Sequence, residues 1–304
     1  MSRCFSGSFV ALITPFNKQK KIDEKALERL VQWHIEQGTD GIVCCGTTGE
    51  GLVLSEKERS KVAEICIRTA QKKIPIIVST GTSDTNQSVR LTEKMKKLGA
   101  DGALVVTPYY NKPSQRGCIA HFREITKIGL PIILYNNPGR AVIQLTETTI
   151  AEIAQMPGVV GIKESSHDME LIRKIKKISS IPIFSGEDDL TCQIIEEGGV
   201  GAISVIGNLI PKGWSQMIHL ALLGEKQRAN FFMNRYTPLC RALFLETNPQ
   251  CIKWAMEQLC MAKNELRLPL LPIQGSTQRD LKRVLLRLSL PHLESISTRL
   301  QASG

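Results

Sequence analysis

Short apolar runs recur along the first two thirds of the chain, at 9–13, 41–45, 76–79, 103–106, 132–135, 159–163, 183–185 and 202–205. Most are apolar at consecutive positions, the pattern of a strand covered on both faces in a parallel sheet. Between them the apolar residues recur with a helical period. Residues 25–37 place Ala26, Leu27, Leu30, Val31 and Ile35 on one face. Ser55, with Glu58 in the next turn, reads as a capping box that opens a helix running to Ala70. Successive runs begin about 20 to 34 residues apart, the length of a βα unit. Such alternation predicts an α/β fold, a closed (β/α)8 TIM barrel. An open doubly wound sheet would carry a GxGxxG turn after its first strand, and that turn is missing here.

After about Leu223 the strand-like runs stop. Segments 225–243, 249–262, 278–288 and 292–300 read as amphipathic helices, interrupted by Leu268-Pro269-Leu270-Leu271-Pro272. The expected organisation is a barrel over 1–224 and a C-terminal helical domain over 225–304.

Composition narrows the class of protein. Of 304 residues, 42% are hydrophobic and 22% charged, as in an ordinary soluble globular protein. No apolar stretch approaches the length needed to span a bilayer, so no membrane partner is expected. Thr14-Pro15 ends the first apolar run too early for a signal peptide, which predicts a cytoplasmic location. The nine cysteines form no CxxC pair and no cluster with histidine that suggests zinc. Adjacent Cys44 and Cys45, as successive strand residues, are expected on opposite faces. The net charge of +10 lies in short helical runs such as 94–97 and 174–177, and aromatics make up only 5%. Without aromatics interleaved among the basic residues there is no stacking platform, so nucleic acid is not an expected partner.

The chemistry of a barrel gathers at the C-terminal ends of its strands. Lys163 ends the run Val159-Val160-Gly161-Ile162. A lysine there commonly snorkels to water. An amine kept from water instead stays neutral more readily and can attack a carbonyl. Its neighbours on the predicted rim decide between the two. Strand two ends in Gly46-Thr47-Thr48-Gly49-Glu50, whose hydroxyls and backbone N–H groups suit a small carboxylate. Strand four leads into Tyr109 and Tyr110, and strand five ends at Tyr135. The turn Asn136-Asn137-Pro138-Gly139-Arg140 would aim a bidentate carboxylate binder at the mouth. Gly186 after strand seven leaves room for a ligand. Three of the four tyrosines fall on this rim. With no metal-ligand set and no cofactor fingerprint, nucleophile, proton carriers and anion clamp together suit Schiff-base chemistry.

These motifs, with Gly161-Ile162-Lys163-Glu164, Glu246-Thr247-Asn248-Pro249 and Leu266-Arg267-Leu268-Pro269-Leu270, resemble the pyruvate-dependent class I lyases of the dihydrodipicolinate synthase type. The likeness runs from Gly7 to about Leu290. It implies condensation of pyruvate with L-aspartate-4-semialdehyde through an imine on Lys163, giving 4-hydroxy-tetrahydrodipicolinate for diaminopimelate and lysine biosynthesis. It further implies a proton relay of Tyr135, Thr47 and Tyr110, with Thr48 on the pyruvate carboxylate and Arg140 on that of the aldehyde. Gly186 and Ile203 complete the implied substrate-binding set, and no cofactor or metal is implied. The family tyrosine matching Tyr110 enters the site of a neighbouring subunit, which implies a homodimer or a tetramer built as a dimer of dimers. Asn137 and Gly139 depart from the synthase pattern. Two rival readings are an N-acetylneuraminate lyase-like aldolase, against which Arg140 argues, and a non-catalytic anion-binding barrel.

Lysine-sensitive relatives carry an amide and a glutamate in the loop after the third strand. The matching positions here are Ser83 and Gln87, with Glu56 and Arg59 where sensitive enzymes have histidine or other residues, and Tyr109 retained. Without a carboxylate at position 87, the ammonium groups of lysine lose a charge partner. L-lysine should therefore inhibit weakly or not at all. Half-inhibition by submillimolar L-lysine in a steady-state assay would show that the site has been rebuilt from other residues.

Overall fold

The computed structural model of the chain describes residues 5–288. Eight strands, β1 Gly7–Ala11, β2 Gly41–Cys44, β3 Ile76–Ser79, β4 Gly102–Val106, β5 Ile132–Asn136, β6 Val159–Glu164, β7 Ile183–Ser185 and β8 Gly201–Ser204, pair in sequence order. Every pairing is parallel, and β8 closes on β1. The expected TIM barrel is what forms.

The strands are apolar throughout because they serve two cores. Phe9, Ala11, Val43, Ile77, Leu104, Ile133, Tyr135, Phe184 and Ile203 fill the barrel interior. Their strand neighbours Val10, Ile42, Cys44, Ile76, Val78, Ala103, Ile132, Leu134 and Ile162 pack outward with the helices. Successive strand side chains alternate faces, so one apolar run feeds both layers. In the interior Phe9 meets Phe184 edge to face, with centroids 5.4 Å apart. Its register neighbour on β2 is Gly41, where a Cβ would lie 2.1 Å from the Phe9 ring. The interior is thus filled by large side chains set against small ones.

Helices α1 Glu24–Glu36, α2 Glu56–Ala70, α3 Thr85–Leu98, α4 Gln115–Thr126, α5 Pro138–Ala141, α6 Glu147–Ala154, α7 Met169–Ile178, α8 Thr191–Glu196 and α9 Pro211–Leu222 follow the strands. Asp23, Ser55, Asp84, Ser114, Thr146 and Asp168 each accept a bond from a backbone N–H in the first turn of the helix they open. Each such cap is worth about 1 kcal/mol. Ser55 and Glu58 form the expected reciprocal box.

Three expectations shift. The first strand begins at Gly7 instead of Phe9, because Gly7 N–H bonds to Val200 O at 2.8 Å and extends the ladder toward β8. The last strand stops at Ser204, because the buried Asp188 carboxylate takes the N–H groups of Val205 and Ile206 at 3.0 and 2.8 Å. Cys45 turns out of the strand with φ 57° and joins the same outer core as Cys44, so the two thiols do not face opposite sides.

Beyond Gly224 the chain forms α10 Lys226–Ala242, α11 Gln250–Gln258 and α12 Gly275–Arg287. The second of these ends short of 262, and the third begins before 278. The helix expected at 292–300 lies outside the described residues. Among the described residues no helix is long and apolar enough to cross a membrane.

Candidate active site

Lys163 and Tyr135 are register partners on β6 and β5, so the pleat sets their side chains side by side. Lys163 is 6% exposed, and its Nζ lies 4.6 Å from the centre of the Tyr135 ring. Among the described residues no ion pair engages it. The neighbouring strand makes way for it: a Cβ on Gly186 would sit 2.9 Å from Lys163 Cε and 1.8 Å from Ser165 Oγ. Glycine here is a condition for the lysine stem to pass.

A cavity of about 40 Å³ surrounds the lysine, walled by Thr47, Thr48, Tyr135, Asn137, Arg140, Gly186, Glu187 and Asn248 among others. It shares Gly46, Thr47, Tyr135 and Arg140 with a larger cavity of about 300 Å³, which reaches Leu52, Arg59 and Tyr109. Six of the eight anticipated site residues therefore meet at one mouth. Ile203 does not line either cavity; it is fully buried in the barrel interior, paired with Phe9 on β1. Val205, just beyond the end of β8, reaches the wall instead. Tyr110 is 89% exposed with φ 74° and lines neither cavity.

Two asparagines set the hydroxyl groups of the site. Asn137 Nδ2 donates to the Tyr135 hydroxyl at 2.8 Å, and Asn248 Nδ2 donates to Thr48 Oγ1 at 3.0 Å. Each hydroxyl oxygen accepts, so its own proton remains free to be given to a ligand. Asn137 also caps α5, accepting from Arg140 N–H at 3.1 Å, and Arg140 Nη2 donates to Asn248 O at 3.3 Å. The expected turn does place Arg140 at the mouth.

The turn that carries Thr47 and Thr48 is held from behind. Glu50 N–H bonds to Thr47 O at 3.0 Å, and Thr14 Oγ1 bonds to Gly49 O at 2.6 Å. The Glu50 carboxylate is buried against Lys253 Nζ, which is itself completely buried on α11. Its second oxygen accepts Arg267 N–H at 3.0 Å. Lys253 also donates to Glu265 O at 2.8 Å and lies 4.1 Å from the centre of Phe16. Burial pushes the Lys253 amine down to about 8, against the opposing pull of Glu50. Arg267 in turn pairs with Glu58 and holds that carboxyl down at about 2.

Buried carboxyls also stand behind the lysine. Burial raises Glu164 to about 7, offset in part by bonds from Ser166 and Asn136. Asp188 is raised to about 7 by burial, against the backbone N–H groups of Ile206 and Val205. Glu187 is raised by burial, while the charges of His167 and Lys163 pull it back.

The sequence profile of the Dihydrodipicolinate synthetase family matches residues 4–288. The chain belongs to this family. Among its relatives in the family, the 4-hydroxy-tetrahydrodipicolinate synthase of Thermodesulfovibrio yellowstonii is 43% identical over 284 residues, covering 92% of this chain and 97% of that protein. The crystal structure of dihydrodipicolinate synthase from Aquifex aeolicus superposes with a TM-score of 0.92 at 40% identity, over 94% of this chain and 99% of that one. The chloride-inhibited enzyme of Acinetobacter baumannii, solved with pyruvate, gives 0.91 at 40% identity, over 93% and 98%.

Sequence reasoning passed over Glu187 and Lys253, and it gave no role to Asn137 or Asn248. Lys253 had a signal: it interrupts Cys251-Ile252 and Trp254-Ala255-Met256, as Lys163 ends its own apolar run. Replacing Lys253 by Met leaves the Glu50 carboxylate buried without its partner, and breaking such a pair costs about 3–5 kcal/mol. Urea unfolding of Lys253→Met should show a loss of that order. Adding Glu50→Gln should recover a large part, since the amide still accepts from Arg267 N–H with no charge left. A Lys253→Met protein as stable as the parent would dismiss the pair as a structural element.

Proposed function

We propose that this lyase condenses pyruvate with L-aspartate-4-semialdehyde through a Schiff base on Lys163, giving 4-hydroxy-tetrahydrodipicolinate for diaminopimelate and lysine biosynthesis. The observation that carries the reading is a buried lysine, without an ion-pair partner among the described residues, set against the face of the Tyr135 ring at the mouth of a (β/α)8 barrel. Family membership and the pyruvate complex of the Acinetobacter baumannii enzyme support it.

The Lys163 amine attacks the pyruvate ketone, and water leaves to give the imine. The Thr48 hydroxyl, its oxygen already accepting from Asn248, donates a hydrogen bond to the pyruvate carboxylate. The Tyr135 hydroxyl, held by Asn137, serves the departing water in the same way. The imine draws electrons from the methyl carbon, which loses a proton and becomes the enamine. That carbon attacks the aldehyde, whose carboxylate rests on Arg140. The amino group of the adduct then displaces Lys163 and closes the ring. Thr47 joins Tyr135 in carrying protons, and Gly186 leaves space beside the imine. Ile203 serves the site as its packed floor. Tyr110, exposed on its own chain, is the group offered to the site of a second copy, so the working unit is a homodimer or a dimer of dimers. The helices beyond residue 224 act as a C-terminal helical domain that braces the barrel mouth.

Borohydride added with pyruvate should attach one reduced pyruvyl group to the peptide bearing Lys163, read by mass spectrometry. Lys163→Arg should abolish the adduct, since a guanidinium stays protonated. Trapping at another lysine would remove Lys163 from its role. Arg140→Ala should weaken use of the aldehyde by the few kcal/mol, about 2–5, that a truncated charge pair costs. Trapping of pyruvate should survive in that variant. Equal loss of both half-reactions would assign Arg140 to the fold or to pyruvate.

A further inference from the structure

We infer that Glu187 seats the ammonium group of the aldehyde substrate and so selects an α-amino aldehyde over its counterpart without the amino group. The inference rests on the condensation proposed above. That aldehyde carries a carboxylate and an ammonium group, and a site that selects it needs a charge for each. Of the residues that wall the two joined cavities, Glu187 is the one carboxylate among the described residues. Its position matches the reaction. Arg140 stands after β5, Lys163 on β6 and Glu187 after β7, so the strand order places the lysine between an anion seat and a cation seat. Ring closure requires the amino group to reach the carbon bonded to Lys163 nitrogen. Glu187, on the neighbouring strand end, walls the same cavity as Lys163 and so stands beside the path of that amino group.

The main chain at Glu187 is built to hold a side chain in place. Ser185 Oγ accepts its N–H at 3.2 Å and donates to its carbonyl at 2.7 Å, and Thr191 Oγ1 donates to the same carbonyl at 3.2 Å. The side chain is 14% exposed and meets His167 Nε2 at 2.9 Å, while His167 itself is 62% exposed. Burial raises the proton affinity of Glu187, so a bound cation would relieve an incompletely compensated charge.

The test compares aspartate semialdehyde with succinate semialdehyde, which keeps the aldehyde and carboxylate and lacks the amino group. In Glu187→Gln the KM for aspartate semialdehyde should rise roughly 10- to 100-fold, the worth of a charged hydrogen bond. Inhibition by succinate semialdehyde and borohydride trapping of pyruvate should stay as in the parent, and Glu187→Asp should recover most of the lost affinity. The unaltered protein should itself bind succinate semialdehyde weaker than aspartate semialdehyde by a similar factor, a measurement that needs no variant to fold. An unchanged KM in Glu187→Gln, a parallel loss for both aldehydes, or equal binding of both by the parent would overturn the inference. A parent that traps pyruvate but does not turn over aspartate semialdehyde would instead overturn the condensation itself.

Discussion

The buried pair between Glu50 and Lys253 joins the two parts of the molecule that make the site. Glu50 ends the turn that presents Thr47 and Thr48, and Lys253 lies in the second helix of the tail. Two charges out of water are tolerable only when each is matched and its remaining bonds are filled. Glu265 O, Arg267 N–H and the face of Phe16 do that here. The pair therefore ties the tail to the turn, and Asn248, five residues before Lys253, is brought within reach of Thr48 and Arg140.

The barrel supplies the complementary constraint. Its strands are apolar on both faces, so polar side chains gather where the strands end, and the closed sheet brings those ends into one ring. Tyr135 and Lys163 are neighbours because the register of β5 and β6 makes them so. Gly186 keeps the adjoining strand end clear of the lysine stem. The interior below is filled by Phe9, Phe184 and Ile203, so the ring is a packed floor with a reactive mouth.

The hydroxyl groups of that mouth are oriented by amides. Asn137 and Asn248 donate to Tyr135 and Thr48, and each leaves a hydroxyl proton to give away. Pre-set donors of this kind need no rearrangement when charge develops on a ligand. Asn137 serves both the tyrosine and the cap of α5 that carries Arg140.

The sequence by itself determined the architecture, because strand and helix periods are local and survive without knowledge of the fold. It also determined six residues of the mouth, Lys163, Tyr135, Thr47, Thr48, Arg140 and Gly186, since strand ends can be counted along the chain. It did not determine that Ile203 lies in the floor, that Tyr110 faces outward, or that Cys45 turns back beside Cys44. Those depend on where a strand stops, and β8 stops where Asp188, from another loop, takes its backbone N–H groups. Lys163 and Lys253 show the limit most directly. Both sit in apolar runs and both are buried, so their local sequences carry the same signal. One faces a cavity and a tyrosine, and the other faces a carboxylate 203 residues away in the chain. What a buried amine can do depends on the charges around it, and only the tertiary structure brings those charges together.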